Sequence, residues 1–424
     1  MATQQTFVIV GTGLAGAKAA EALRTEGSDG RVVLIGEEAE RPYERPPLSK
    51  NYLMGRSEKE KIYVHPENWY DEHDVELQLR TRVTEIIPST HQVSLDTGEP
   101  IFYDKLLLAT GSSSHMLRVP GADPHRVFYL RRIEDCEQLK ATWKTASRIV
   151  LVGAGWIGLE VAAAARHAGL SVTVLERGEL PLLRVLGKEV AQIFTDLHLR
   201  HGVNLRFGAH VEEITGENAR RATGVRLADG DQIDTDLVIA GVGAVPNTAL
   251  AEAAGLVVDN GITVDEHLCS SDPDIYAAGD VASAFHPVFG RHIRVEHWAN
   301  ALEQPAVAAR SMLGRDAVYD QLPYFYSDQY ELGMEYSGYV EPGGYNEVVF
   351  RGDKDKLEFI AFWLKDHRVL AGMNVNIWDE TETIKALARS NRQFDSATLA
   401  DTRKPLAEIL NGAGGDATPT TGAR

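Results

Sequence analysis

Six glycines and two acids, set out as two copies of one pattern, carry the first chemical statement in this sequence. Gly11, Gly13 and Gly16 stand in GTGLAG, and Gly153, Gly155 and Gly158 stand in GAGWIG. At this spacing the first glycine permits a tight bend from strand to helix. The second leaves room for a pyrophosphate to approach the backbone, and the third lets the helix pack on the strand. The helix start then offers unpaired N–H groups and the positive end of its dipole to an anion, with no basic side chain required. Glu37 and Glu176 follow the last glycine of each copy by roughly 20 residues, where a carboxylate that binds ribose hydroxyls belongs.

Such residues work only if strands and helices hold them, and the flanking sequence predicts those elements. Phe7, Val8, Ile9 and Val10 form an apolar run suited to a strand buried on both faces, and an Ala-rich helical pattern follows from Leu14. RVVLIG (31–36) is the next buried strand and ends at Glu37. The second copy repeats the order: RIVLVG (148–153), the turn, a helix over 159–168, then SVTVLE (171–176). The two copies lie a whole domain apart, roughly 140 residues, so they are a duplication and not a short-period array. The fold class is α/β with two Rossmann-like dinucleotide-binding domains.

Between these units the chain supplies further candidates. RPYERPPLSK (41–50) has three prolines that fix φ and suppress helix until about Leu48, which makes a stiff loop carrying Arg41, Arg45 and Lys50 beside a phosphate site. Weaker strands are expected over 75–79, 83–87 and 92–95, and YDKLLLATG (103–111) is another buried strand ending in small residues that admit a ligand. The strand and turn over 236–247 read as the return from the second domain to the first. IYAAGDV (275–281) ends with Asp280 at a predicted helix start, where an acid caps a helix or bonds ligand hydroxyls. A helix is expected over 299–313 despite Pro305. From about Leu322 aromatic and β-branched runs predict a separate α+β domain with a helix near 380–390, and the Gly/Thr/Ala-rich 411–424 is expected to be disordered. The expected boundaries are 1–114 with 243–320 for the first dinucleotide domain, 115–242 for the second and 321–410 for the last.

With 44% hydrophobic and 25% charged residues the chain of 424 has an ordinary globular composition. A formal net charge of −18 argues against non-specific nucleic-acid binding and anionic membranes. MATQQTF enters the first strand almost at once, so no leader peptide is expected, and no apolar run is long enough for a membrane span. A cytoplasmic protein is expected. Cys136 and Cys269 form no CxxC pair, which excludes a redox dithiol on one loop. His286, His292 and His297 are close in sequence but fit no common metal-ligand spacing, so no metal is expected there. His198 and His201 are expected to face solvent on a polar helix.

Two dinucleotide sites in one chain imply a flavoprotein that takes hydride from a nicotinamide cofactor. Beyond that, GTGLAG, PYERPPLSK, LLLATG, GAGWIGLE, YAAGD, VEHWANALEQ and YFYSDQY together resemble the oxygenase-coupled, NADH-dependent ferredoxin reductases, the family that includes putidaredoxin reductase and rhodocoxin reductase. The resemblance spans about residues 5 to 410. It implies a glutathione-reductase-like arrangement with FAD and NADH as cofactors. The acceptor it implies is a small iron–sulfur ferredoxin, of the two-iron, two-sulfur type, serving a haem or Rieske-type oxygenase. By motif position it implies that Gly11, Gly13, Gly16, Glu37, Arg45, Lys50, Val83, Ala109, Arg131 and Asp280 contact FAD. It likewise places Gly153, Gly155, Gly158, Glu160 and Glu176 at the nicotinamide cofactor, and Glu296 with Trp298 in the stretch covering the flavin. Alternatives are an NADH oxidase or dehydrogenase-like flavoprotein, distinguished by oxygen consumption without ferredoxin, and a redox-sensing interaction protein resembling apoptosis-inducing factor.

Three finer expectations follow. Lys50 and Glu160 should meet where nicotinamide and flavin converge, because both ligands lie at strand carboxyl ends in a doubly wound fold; Lys50, Glu160 and Trp298 are the catalytic candidates. Glu176 should favour NADH by repelling a 2′-phosphate, with Arg177 beside it working in the opposite direction. An acidic ferredoxin needs a basic patch on this acidic protein, for which Arg310 and Arg315 are the candidates. A monomer or weak homodimer is expected.

Overall fold

The computed structural model describes residues 4–216 and 221–412. Residue contacts divide the chain into two compact units. The first is drawn from residues up to Glu179 and from His198–Pro323, and the second from Leu180–Leu197 and residues from Tyr324 onward.

The first unit contains two five-stranded parallel sheets of matching design. One runs in the order Ile275–Ala277, Lys105–Leu108, Thr6–Val10, Arg31–Ile35, Val75–Gln78. The other runs Asn204–Arg206, Ser171–Leu175, Arg148–Val152, Leu237–Ala240, Val127–Phe128. Phe7, Val8 and Ile9 are wholly buried, as are Val32, Val33 and Leu34, which is why these strands read as unbroken apolar runs. In the first sheet the chain starts at the central strand, winds outward for two strands, and crosses back to the other side; the second sheet follows the same path from its central strand after the chain has laid down the edge strand Val127–Phe128. The crossing leaves a crevice at the strand carboxyl ends, between Val10 and Leu108 in one sheet and between Val152 and Ala240 in the other.

The helix Leu14–Thr25 covers the first sheet and packs along Trp298–Met312. Ala17, Ala19 and Ala20 on one, and Ala308 and Ala309 on the other, have no exposed surface; small residues let the two helices approach closely. Trp298–Met312 runs through a buried Pro305. The two sheets are joined by an antiparallel ribbon in which Ser112–Ser114 pairs with Ala244–Pro246, so the predicted return strand closes the crossover. Asn247 fastens its end, donating from Nδ2 to the Thr110 carbonyl at 2.7 Å and accepting from Thr110 Oγ1 at its own carbonyl at 2.9 Å.

The second unit is built on an antiparallel sheet in the order Tyr324–Gln329, Leu332–Gly338, Arg368–Val375, Glu358–Lys365, Glu347–Asp353. Val349, Ile360, Phe362, Leu364 and Val369 bury one face against Ile384, Leu387, Leu399, Leu406 and Ile409 from the helices that follow. This is the expected α+β architecture. Leu180–Leu197 belongs to this unit: Trp363 Nε1 donates to the Leu186 carbonyl at 2.9 Å, and Gly187, at φ 75°, lies where a Cβ would strike the Tyr345 hydroxyl.

Several local expectations are corrected. The prolines of the 41–50 segment start a 3-10 turn at Pro46, ahead of Leu48, because proline suits the first position of a helical turn, whose N–H would be unpaired anyway. Asp280 sits inside a 3-10 turn, Gly279–Val281, and not at the start of a longer helix. His198 is fully buried, since it continues the apolar stripe of Val190 and Phe194 at four-residue spacing. Asn411 and Gly412 close the helix Leu406–Gly412, and the remainder of the expected disordered tail lies outside the described residues. No helix among the described residues is long and apolar enough to cross a membrane.

Phe362 has no exposed surface and lies at the centre of the second unit's core. Phe362→Ala should cost about 3–5 kcal/mol of unfolding free energy. Urea unfolding followed by tryptophan emission reads it, and a loss under about 1 kcal/mol would mean that this sheet face is not the unit's core.

Candidate functional site

Both glycine turns sit at the crevices, and each glycine in them answers a different constraint. A Cβ on Gly11 would lie 2.1 Å from the Ala109 carbonyl oxygen, and one on Gly153 would lie 2.4 Å from that of Gly241. Both first glycines also hold positive φ, 122° and 101°. A Cβ on Gly16 would meet the Gly11 carbonyl oxygen at 1.9 Å, and one on Gly158 that of Gly153 at 2.2 Å. Gly13 and Gly155 differ. A Cβ there meets nothing within 4 Å, and their φ values of −84° and −79° suit any residue. The chain therefore leaves open space at each middle glycine without a structural need for it. The helices that begin there, Leu14–Thr25 and Trp156–His167, have no side-chain cap and no acid in the first turn. Uncapped helix starts behind open glycines fit the pyrophosphates of two dinucleotides.

The two candidate ribose carboxylates are held differently. Glu176 accepts from the Ala154 N–H at 2.8 Å and the Gly178 N–H at 2.7 Å, so backbone amides fasten it over the second turn. Glu37 is bracketed by guanidinium groups, Arg82 at 2.9 Å and Arg132. Neither arginine carried a motif in the sequence.

Arg131 and Asp280 come together across the first sheet's ligand end. Arg131 Nη2 lies 2.6 Å from Asp280 Oδ2, which also accepts from Ser112 Oγ at 2.8 Å, while Arg131 Nε donates to the Ser112 carbonyl at 2.8 Å. The turn that carries Asp280 is anchored by Gln304, whose Oε1 accepts from the Gly279 N–H at 2.7 Å. Val83 and Ala109 are buried, with the Ala109 carbonyl turned toward Gly11. Glu296 pairs with Arg294 at 2.7 Å, and Arg294 also reaches the Asp280 carbonyl at 3.1 Å. Trp298 opens the helix that His297 precedes. Burial pushes His297 down to about 4, against the pull of Asp280, so it stays neutral at physiological pH. Burial pushes the Glu44 carboxyl up, although a hydrogen bond from Trp298 and the charge of Lys18 oppose it.

The segment 41–50 forms a braced platform. Arg45 pairs with Glu38 at 2.6 Å and donates to the Arg131 carbonyl at 2.5 Å. Burial works to raise the Glu38 carboxyl, but Arg45 and a hydrogen bond from Tyr43 hold it below the usual carboxylate range. The Tyr43 hydroxyl accepts from the Ile133 N–H at 3.0 Å, and Cys136 Sγ donates to the Leu48 carbonyl at 3.3 Å. At the end of this platform Lys50 Nζ lies 2.8 Å from Glu160 Oε2, with 11% and 5% of the two side chains exposed. Residues 110 apart in sequence thus meet at the start of the second glycine helix. Ser49, which sequence reasoning passed over, donates from its hydroxyl to the same oxygen. Its place between the prolines and Lys50 was the available signal.

Other candidates lie elsewhere. Arg310 and Arg315 converge on Glu26, just past the end of the first helix, with Arg310 Nε 2.7 Å from the carboxylate. Cys136 and Cys269 are free thiols, and burial pushes Cys136 up to about 12. His286 Nε2 bonds the Gln321 carbonyl at 2.9 Å, and among the described residues no group of three His, Cys, Asp or Glu is placed to hold a metal.

Comparison with known proteins is consistent along the whole chain. Residues 5–305 match the pyridine nucleotide-disulphide oxidoreductase family, and residues 324–410 match the reductase C-terminal family. The ferredoxin reductase subunit of 5,5′-dehydrodivanillate O-demethylase from Sphingobium sp. is 39% identical, over 95% of this chain and 97% of its own. Putidaredoxin reductase from Pseudomonas putida is 38% identical, over 97% and 98%. The crystal structure of the covalent putidaredoxin reductase–putidaredoxin complex superposes with a TM-score of 0.93 at 37% identity, covering 97% of this chain and 99% of the other.

Because the space at Gly13 is empty of protein, Gly13→Val should fold normally yet lose its ligand. The variant should keep its circular dichroism and melting temperature and purify colourless, while Gly16→Ala, driven into the Gly11 carbonyl, should be unstable. A normal flavin content in Gly13→Val would refute the assignment of that space.

Proposed function

The chain belongs to the pyridine nucleotide-disulphide oxidoreductase family, and from that membership we propose an NADH-dependent, FAD-containing ferredoxin reductase that supplies a small two-iron, two-sulfur protein of an oxygenase system. One observation supports the reading within this family: Lys50 and Glu160 meet at the start of the second glycine helix, and the chain's two cysteines form no thiol pair. With both cysteines single and Cys136 held as a buried thiol, electrons have no dithiol to pass through and must leave directly for an external acceptor.

In this reading residues 1–114 with 243–320 hold FAD and 115–242 hold NADH. Gly11, Gly13 and Gly16 set the first pyrophosphate position and Glu37 the ribose. Arg45, Val83, Ala109, Arg131 and Asp280 would hold the remainder of FAD, together with Glu296 and Trp298. Gly153, Gly155, Gly158 and Glu176 do the same for the nicotinamide cofactor. Bound FAD would accept two electrons with a hydride from NADH and release them singly to an iron–sulfur centre. Lys50 supplies a fixed cation where negative charge develops, in a site from which water is largely excluded. Glu160 compensates that cation beforehand and directs it, and Glu176 disfavours a 2′-phosphate. The protein works in the cytoplasm as a monomer or weak homodimer. Arg310 and Arg315, which meet Glu26 at the end of the first helix, are the docking residues for an acidic ferredoxin in this reading.

The direct test is NADH-driven reduction of a two-iron ferredoxin coupled to cytochrome c. Failure with every such ferredoxin, alongside rapid oxygen consumption, would favour the oxidase reading. Lys50→Met should keep its FAD and slow flavin reduction by NADH roughly tenfold to a thousandfold in stopped flow. An unchanged rate would remove Lys50 from the chemistry. Arg310→Glu with Arg315→Glu should slow ferredoxin-dependent cytochrome c reduction and leave ferricyanide reduction intact. Loss of both activities together would identify them as structural braces between helices.

A further inference from the structure

Ser49 has a role that the two charged residues beside it do not explain. It is 6% exposed and ends the 3-10 turn Pro46–Ser49, where a serine commonly bonds back to the carbonyl three residues earlier. That carbonyl, on Pro46, lies 3.3 Å from Ser49 Oγ. A hydroxyl has one proton, and the shorter, charged acceptor is Glu160 Oε2. Lys50 Nζ reaches the same oxygen at 2.8 Å. Lysine is a point charge on a flexible stem and does little to orient a carboxylate, whereas a hydroxyl on a rigid turn does so directionally. Both ends of the Ser49–Glu160 bond stand on fixed frames. The turn is stiffened by Pro46 and Pro47 and held from behind by Cys136 Sγ on the Leu48 carbonyl at 3.3 Å. The helix Trp156–His167 packs closely on its own turn at Gly158, where a Cβ would lie 2.2 Å from the Gly153 carbonyl oxygen.

We propose that Ser49 is the positioning residue of the reducing site: its hydroxyl fixes the Glu160 carboxylate, and through it directs the Lys50 ammonium. The inference rests on the role given above to Lys50 and Glu160. A neutral donor is suited to this task because it stays in place when the lysine's charge is drawn toward another anion. Glu160, a buried carboxylate, then retains a hydrogen bond at that moment.

The test uses flavin-loaded protein without ferredoxin, so failure to reduce any ferredoxin would remove the functional reading and leave this result standing. Ser49→Ala should retain FAD and melt close to the parent. Calorimetric titration should show NAD+ bound several-fold more weakly, and flavin reduction by NADH should slow roughly tenfold to a hundredfold, the range for losing a hydrogen bond to a charged group. Ser49→Thr, which keeps the hydroxyl, should recover most of both. In a Glu160→Ala background, Ser49→Ala should add little further loss, because both changes remove one interaction. A parental rate and NAD+ affinity in Ser49→Ala beside a slow Lys50→Met would overturn the proposal, as would a full additional loss in the Glu160→Ala background. Should Ser49→Ala shed its flavin, Ser49→Cys decides: its thiol fills similar space but is a weak donor, so a parental rate there also overturns it.

Discussion

The structure depends on how closely backbone can approach backbone at two points. At Gly11 and at Gly153 the chain turns from a strand into a helix with the carbonyl of the neighbouring strand's end little more than 2 Å from where a side chain would begin. That contact aligns each helix start with the crevice at the sheet's switch point and leaves its first N–H groups uncapped. A substituted residue at either site would push the helix off the strand, and the anion site would be lost with it. The rest of the first unit reproduces this arrangement twice and joins the copies through the ribbon of Ser112–Ser114 and Ala244–Pro246.

On that frame the charged residues are arranged by pairing. Arg131 with Asp280, Arg45 with Glu38, Lys50 with Glu160 and Arg294 with Glu296 each place a cation against an acid. Pairing lets such groups be buried without the full penalty of an isolated charge, and it orients them. The sequence carries −18 overall, yet the groups nearest the crevices are locally balanced. An anionic cofactor can therefore be bound by helix ends and guanidinium groups in an acidic protein without long-range repulsion deciding the outcome.

Position also separates residues of the same type. Cys136 became part of a brace because it faces the Leu48 carbonyl inside a packed helix, and burial keeps it protonated. His297 was kept neutral by burial beside Asp280, whereas His198 was simply placed on the apolar stripe of its helix. Arg310 and Arg315 share Glu26, which ties the helix that follows Trp298 to the end of the first helix.

The sequence by itself determined the two parallel sheets, the glycine turns and their acids, because buried parallel strands, close approach and helix starts each demand particular residue types over a few adjacent positions. It determined the antiparallel strands of the second unit for the same reason. Tertiary structure decided what depends on residues far apart in the chain. Glu37 found Arg82 and Arg132, Asp280 found Arg131 and lost its expected helix, and Leu180–Leu197 joined the C-terminal unit. Ser49 acquired Glu160 only because a proline-stiffened turn and a glycine-packed helix bring positions 49 and 160 within one hydrogen bond. Local spacing specifies conformation; which polar groups become partners is set by how rigid elements dock, and no local pattern records that.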